Sequence, residues 1–415
     1  MTAFAHRHGV LHAESVSLEA IADEYGTPCY VYSKSALVDG FRAFADACSS
    51  RDALICYAMK ANPSLAILNL FARMGAGFDI VSGGELARVI AAGGDPHKVV
   101  FSGVGKSESE MRAALQAEIL CFNVESEQEL ERLSAVAHAM RRKAPVSLRV
   151  NPDVDAKTHP YISTGLKQNK FGIAHEDALA LYQKASRLPG ITVVGIDCHI
   201  GSQLTETAPF LAALDRILAL VDKLQRVGIR LHHIDLGGGL GIQYRNEQPP
   251  ELKDYMSQLF KRLGRRRIQL LFEPGRVLVG NAGVLLTRVE YLKSGEAKNF
   301  AVVDAAMNDL VRPALYGAWH RITAVRPRET APRSYDVVGP ICETGDFLGR
   351  NRRLSMEQGD LLAIHSAGAY GMSMSSNYNS RVRAAEVMVD GDRTYLIRER
   401  EQVVALFAAE HLLPD

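Results

Sequence analysis

Lys60 closes an apolar run in Tyr57-Ala58-Met59-Lys60-Ala61-Asn62. A lysine in that place is ordinarily a solvated turn residue. A desolvated amine with a lowered pKa is instead a nucleophile that forms a Schiff base with a carbonyl. Other strand-like runs end in Asp79, in His199-Ile200-Gly201-Ser202, in Asp235-Leu236-Gly237-Gly238-Gly239-Leu240-Gly241 and in Glu273-Pro274-Gly275-Arg276. A histidine such as His199 is more often satisfied by a backbone carbonyl than used in chemistry. Adjacent glycines let backbone N–H groups close on an anion, usually a phosphate. Ile242 stands where a GxGxxG fingerprint needs its last glycine, so a dinucleotide site is not indicated. A lysine, a histidine, an acid and an anion nest are together the parts for holding pyridoxal phosphate. The amine bonds its aldehyde carbon, the nest takes the phosphate, and the acid keeps the pyridine nitrogen protonated. A metal centre fits less well and none is expected, because Cys198-His199 and His232-His233 are neighbours that point to opposite faces of a strand.

These residues need a scaffold that gathers strand ends. Strand-like runs at 53–60, 77–82, 99–103, 119–124, 145–151, 193–199, 231–237 and 269–273 alternate with segments of helical period at 65–74, 84–92, 107–115, 127–140, 176–187 and 209–227. About eight strand–helix units predict an α/β chain built on a closed (β/α)8 barrel of the TIM type, with a doubly wound open sheet as the alternative. In such barrels the chemistry lies at the C-terminal ends of the strands, where the polar residues above fall. After residue 280 the pattern changes to strand-like runs at 283–293, 300–304, 334–338, 360–365, 384–389 and 394–398, which predict a mainly antiparallel β domain. Residues 28–32 are also extended and precede the first barrel helix at 34–47. The expected division is a barrel over 34–280 and a discontinuous β domain from 1–33 and 281–415.

Composition narrows the function classes. The 415 residues are 47% hydrophobic and 23% charged, which is ordinary globular usage and excludes a disordered or fibrous chain. Lys and Arg number 48 against 47 Asp and Glu, a net charge of +1 that recruits neither nucleic acid nor an anionic membrane. The basic runs Arg141-Arg142-Lys143, Lys261-Arg262 and Arg265-Arg266-Arg267 end amphipathic segments, where cations suit a helix C-terminus. Six cysteines are scattered without a CxxC pair, and Cys56, Cys121 and Cys198 fall inside apolar runs. That predicts buried free thiols in a reducing cytoplasm. Residues 1–14 lack the apolar core of a signal peptide, and no run is apolar enough to span a membrane.

The chain resembles the fold-type III pyridoxal-phosphate decarboxylases from about residue 8 to 410. The ordered motifs are Tyr57 to Asn62, Phe78-Asp79-Ile80-Val81-Ser82-Gly83-Gly84-Glu85, His199-Ile200-Gly201-Ser202-Gln203, Gly237-Gly238-Gly239, Glu273-Pro274-Gly275-Arg276, Gly339-Pro340-Ile341-Cys342-Glu343 and Gly368-Ala369-Tyr370-Gly371. The resemblance implies that Lys60 carries pyridoxal phosphate as a Schiff base, that His199 stacks on its ring and that Glu273 pairs with the pyridine nitrogen. It implies a cradle of Asp79, Ser202, Gly238, Gly239 and the Glu273-Pro274-Gly275-Arg276 turn, with Tyr370 touching both cofactor and substrate. It further implies a homodimer in which Cys342, the proton donor to the reacting carbon, and Glu343 reach in from the partner subunit.

Within that family the chain is most similar to the group acting on diaminopimelate. Arg276, Arg312 and Tyr316 would grip a distal carboxylate, where arginine forms a bidentate fork, and Glu343 would take the distal ammonium. Ornithine has no distal carboxylate, and the family's ornithine enzymes carry Asp where Glu343 stands. The run Lys157-Thr158-His159-Pro160-Tyr161-Ile162 through Lys170-Phe171-Gly172 also looks like that group's loop beside the site. The implied reaction is decarboxylation of meso-2,6-diaminopimelate to L-lysine, the last step of lysine biosynthesis. The alternatives are an ornithine, arginine or carboxynorspermidine decarboxylase, or an amino-acid racemase.

Overall fold

The computed structural model describes residues 3–154 and 170–415, so the expected loop at Lys157 to Ile162 lies outside the described residues. The chain divides into two compact units. Phe41–Ile242 with Glu247–Val277 form one, and Met1–Gly40, Gln243–Asn246 and Leu278–Asp415 form the other.

The first unit is a closed parallel barrel. Its strands are Ala53–Ala58, Gly77–Ile80, Val99–Phe101, Cys121–Val124, Ala144–Asn151, Ile191–Asp197, His233–Asp235 and Gln269–Phe272. Each pairs with the next, and the last returns to the first with Leu270 opposite Ala53. That closure removes the open-sheet alternative. Strands covered on both faces read as continuous apolar runs rather than alternating ones, as Val99-Val100-Phe101 does. The helices between them start where serine side chains cap exposed N–H groups. Ser82, Ser107 and Ser126 accept from Glu85, Glu110 and Glu129, and Ser107 with Glu110 completes a capping box.

Six of the eight strands stop one or two residues earlier than the apolar runs suggest. Lys60, His199, Gly237 and Glu273 therefore lie just beyond the ladder, and Lys60 sits on a 3-10 turn, Met59–Ala61. Pairing there is reduced to single bonds, such as that from the Glu273 N–H to Gly237 O at 2.7 Å.

The second unit centres on a sheet in the order Phe347–Leu354, Arg333–Val338, Phe300–Val303, Gly283–Lys293, Cys29–Ser33, Ala385–Asp390 and Arg393–Arg398. Leu361–Ile364 pairs with Gly283–Lys293 and with Ile322–Ala324. Most neighbours are antiparallel, while Phe300–Val303 with Arg333–Val338 and Cys29–Ser33 with Ala385–Asp390 are parallel. Leu18, Ile21, Val31, Val284, Leu286, Val387 and Val389 share its core. Several elements of this unit carry no signal in the pattern above, among them one long strand and one helix. Phe347–Leu354 hides its strand character behind Gly349, Arg350, Arg352 and Arg353, although Arg352 packs its guanidinium 4.4 Å from the Trp319 ring. The helix Leu18–Tyr25 is capped by Ser17 but is only eight residues long.

Among the described residues no helix is long and apolar enough to cross a membrane. Cys29, Cys48, Cys56, Cys121 and Cys198 are buried free thiols, and Cys342 is exposed.

Candidate active site

The barrel mouth collects Lys60, Asp79, His199, Ser202, the glycine turn and the Glu273 to Arg276 turn. Lys60 Nζ donates to Asp79 Oδ2 at 2.8 Å, and Asp79 is fully buried. The end of the first strand is locked onto the end of the eighth. The Ala58 N–H donates to Pro274 O at 3.1 Å, and a Cβ on Gly275 would sit 3.1 Å from Ala58 O. The main chain just before Lys60 is thereby fixed against the end of the eighth strand.

The glycines of the seventh strand end are steric requirements. A Cβ on Gly238 would meet Glu273 O at 2.1 Å, and one on Gly239 would meet Gly201 O at 2.4 Å, with Gly239 at φ +110°. Only glycine lets three strand ends approach this closely. A glycine-rich turn of this kind can bring main chain close to a phosphate, so the cradle fits pyridoxal phosphate. The Gly238 N–H donates to His199 Nδ1 at 3.2 Å. Desolvation, with Arg149 and Lys60 nearby, holds His199 well below the ordinary histidine range. The ring is therefore neutral and carries its proton on Nε2.

Glu273 lies at the floor. Its Oε1 accepts from Ser102 Oγ at 3.4 Å and Asn123 Nδ2 at 3.3 Å, and it is 5% exposed. Asp197, Asp235 and Glu273 each bring a carboxylate oxygen within 4.8 Å of the others, all buried. Burial first, then the charges of Asp235, Asp79 and Asp197, pushes Glu273 well above the usual carboxylate range. Asp235 is pushed up to about 6, again chiefly by burial. A cation set against Glu273 would relieve this repulsion, and a protonated pyridine is such a cation.

Around this floor Arg149 Nη1 donates to Glu125 Oε1 at 3.0 Å, and its Nε lies 3.9 Å from Asp197 Oδ2. The Gly172 N–H donates to Glu125 Oε2 at 3.1 Å, and Arg149 lies 4.9 Å from the Phe171 ring centre. Arg276 is buried, and its Nη2 donates to Ser202 Oγ at 3.0 Å. Asn123, Glu125, Arg149, Asp197 and Asp235 join the site without a motif that marks them in the sequence. The available signal was position, since all five lie at or within two residues of a barrel strand's C-terminal end.

The second unit holds Arg312, Tyr316, Cys342, Glu343 and Tyr370. Arg312 and Tyr316 bound one short helix. Arg312 is buried, donates from Nη1 to His320 Nε2 at 2.9 Å and lies 4.7 Å from the Tyr244 ring centre. His320 Nδ1 in turn donates to His365 O at 2.9 Å, which sets its tautomer. Cys342 and Glu343 occupy one exposed loop. Tyr370 has φ +57°, a conformation rare for a bulky side chain and frequent at functional sites.

A family model described as pyridoxal-dependent decarboxylase, pyridoxal binding domain, matches residues 35–280. The chain is 62% identical to a diaminopimelate decarboxylase of Pseudomonas fluorescens over 100% of both chains. It is 59% identical to one of Vibrio cholerae over 98% of each. The crystal structure of diaminopimelate decarboxylase from Helicobacter pylori complexed with L-lysine matches with a TM-score of 0.92 at 42% identity, covering 95% of this chain and 99% of that one.

Proposed function

The chain belongs to the pyridoxal-dependent decarboxylases, and from that premise we propose that it removes one carboxyl group of meso-2,6-diaminopimelate as CO2 and releases L-lysine, the last step of lysine biosynthesis. The observation that carries the chemistry is the meeting of Lys60, His199 and Glu273 around the glycine turn at one barrel mouth. The substrate follows from the full-length likeness to diaminopimelate decarboxylases.

When bound, pyridoxal phosphate supplies an electron sink for the pair left behind by CO2. Lys60 would hold its aldehyde carbon, and Asp79 keeps that amine oriented. The main chain around Gly238, Gly239 and Gly275 would hold the phosphate, with Ser202 and Tyr370 beside it. Glu273 would keep the ring nitrogen protonated, and neutral His199 would face the ring. Arg276, Arg312 and Tyr316 are assigned to the substrate's distal carboxylate, and Glu343 to its distal ammonium. Cys342 is assigned the proton delivered to the carbon that lost its carboxylate.

The exposure of Cys342 and Glu343 supports a homodimer in which this loop serves the partner's site. Residues 34–280 are proposed as the cofactor domain, and 1–33 with 281–415 as the domain serving substrate and dimer. Five buried free thiols suit a reducing compartment and support a cytoplasmic enzyme. The test is incubation of the protein with pyridoxal phosphate and meso-diaminopimelate. L-Lysine and CO2 are expected in equal amounts. Turnover of ornithine or arginine without turnover of diaminopimelate would overturn the substrate, and epimerisation with the carboxyl retained would mark a racemase.

A further inference from the structure

The loop bearing Cys342 and Glu343 is exposed, yet its shape is fixed from two sides. On one side buried Asp346 accepts the Ile341 N–H at 2.9 Å and the Met307 N–H at 2.7 Å through its two oxygens. On the other side a second loop meets it. Asn379 Oδ1 accepts the Cys342 N–H at 3.0 Å, and the Tyr378 hydroxyl donates to Glu343 Oε1 at 2.5 Å.

That second loop is anchored at both ends. The Ser376 N–H donates to Asn308 O at 2.9 Å, and Arg381 Nε donates to Asn308 Oδ1 at 3.1 Å, with Asn308 buried. Asn377 Nδ2 donates to Glu401 Oε2 at 2.7 Å. Its tip turns through Asn379 at φ 54°, ψ 29°, a left-handed conformation that asparagine tolerates well. Cys342, Glu343, Tyr378 and Asn379 are all exposed, so core packing does not account for these contacts. Two consecutive residues of one loop instead engage two consecutive residues of the other.

We propose that Tyr378 and Asn379 are positioning residues for Cys342 and Glu343. Asn379 fixes the main chain from which the thiol is presented. Tyr378 holds one carboxylate oxygen of Glu343 so that the other receives the substrate's distal ammonium. This rests on the roles assigned to Cys342 and Glu343 above. The physical gain is pre-organisation. A glutamate on an exposed loop loses torsional freedom when it binds a cation, and a hydroxyl donor removes part of that freedom beforehand. The hydrogen bond to Glu343 also raises the Tyr378 hydroxyl above its ordinary range, which keeps it a donor.

The test is steady-state kinetics of the holoenzyme on meso-diaminopimelate, with cofactor absorbance and melting temperature recorded for every variant. Tyr378→Phe should raise KM about tenfold with kcat within about twofold, the loss of one charge-assisted hydrogen bond. Asn379→Ala should lower kcat about tenfold with KM nearly constant, since the misplaced group delivers a proton rather than binds. The double variant Tyr378→Phe with Glu343→Gln should be no worse in KM than Glu343→Gln alone. An unchanged KM in Tyr378→Phe beside a raised KM in Glu343→Gln would overturn the positioning role while leaving that of Glu343 intact. An unchanged KM in Glu343→Gln would remove the role of Glu343 itself, and the proposal with it. A parallel fall of kcat, cofactor content and melting temperature would mark a merely structural contact and also overturn it.

Discussion

The two units place the side chains proposed for function by opposite means. In the barrel, Asp79, Glu273 and Arg276 are buried, and the glycine turn is packed so tightly that a methyl group has no room. In the second unit, Cys342 and Glu343 stand on an exposed loop braced by hydrogen bonds from another loop. Burial sets orientation through packing and couples it to the stability of the unit. An exposed brace sets orientation locally, and its loss leaves the rest of the unit standing. Substitutions should therefore separate activity from stability in one unit and join them in the other.

The largest expected effect is that of Lys60→Ala. Turnover should fall about a thousandfold or more and the cofactor's visible absorbance should vanish, because no other residue replaces the bonding amine. Residence at a strand end suggests a variant that folds normally, but the structure adds a cost. Buried Asp79 loses its partner, which should reduce stability by about 1–2 kcal/mol after allowance for the exposure of Lys60. Denaturant titration of the variant beside the parent protein measures that loss. Cys342→Ala supplies the contrast. Its kcat should fall about a hundredfold while the melting temperature stays unchanged, as follows from the proton-donor role proposed for this exposed thiol. A lowered melting temperature there would break the comparison.

Arg312→Ala tests the mixed case of a buried residue in the second unit. KM for diaminopimelate should rise about thirtyfold as a carboxylate loses its partner. Stability should fall as well, because His320 loses the Arg312 donor and Tyr244 its stacked cation. Gly239→Ala should weaken cofactor binding about tenfold and cost about 1–3 kcal/mol, because its Cβ would meet Gly201 O. Retention of both affinity and stability would show that the turn is looser than its contacts indicate.

The smallest effect concerns pH. Burial holds His233, in the barrel, and His365, in the second unit, down at about 4. Their unfolded forms take up protons near pH 6.5 while the folded forms do not, so stability should be level above that pH. It should then fall as pH drops from about 6.5 to about 4. His233→Gln keeps a partner for Ser147 Oγ, which lies 2.8 Å from His233 Nε2, and should flatten part of that slope. An unaltered slope in the variant would show that His233 does not titrate this way.

The contrast also explains what could be read from the sequence. Strand and helix periods repeat along the barrel, so closure and the place of the chemistry follow from spacing and from polar residues at strand ends. The second unit offered less. Phe347–Leu354 carries arginines where a strand pattern needs apolar residues, and Cys342 by itself reads as a thiol without a role. Its assignment came only through family resemblance. Asp197 and Asp235 were hidden for another reason. An acid closing a strand looks like a turn residue until the third dimension brings it against Glu273.

The same arginines bear on how the protein behaves in company. A barrel has no free sheet edge, but the second unit's main sheet ends in Phe347–Leu354 on one side and Arg393–Arg398 on the other. The first edge carries Arg350, Arg352 and Arg353, and the second begins and ends in Arg393 and Arg398. Open strand edges are templates on which further chains can stack, and charge of one sign on both edges makes such stacking repulsive. Residues that obscure a strand in the sequence thus act as gatekeepers against fibrous growth. Their protection should fade at high salt, where screening shortens to about 3 Å at 1 M.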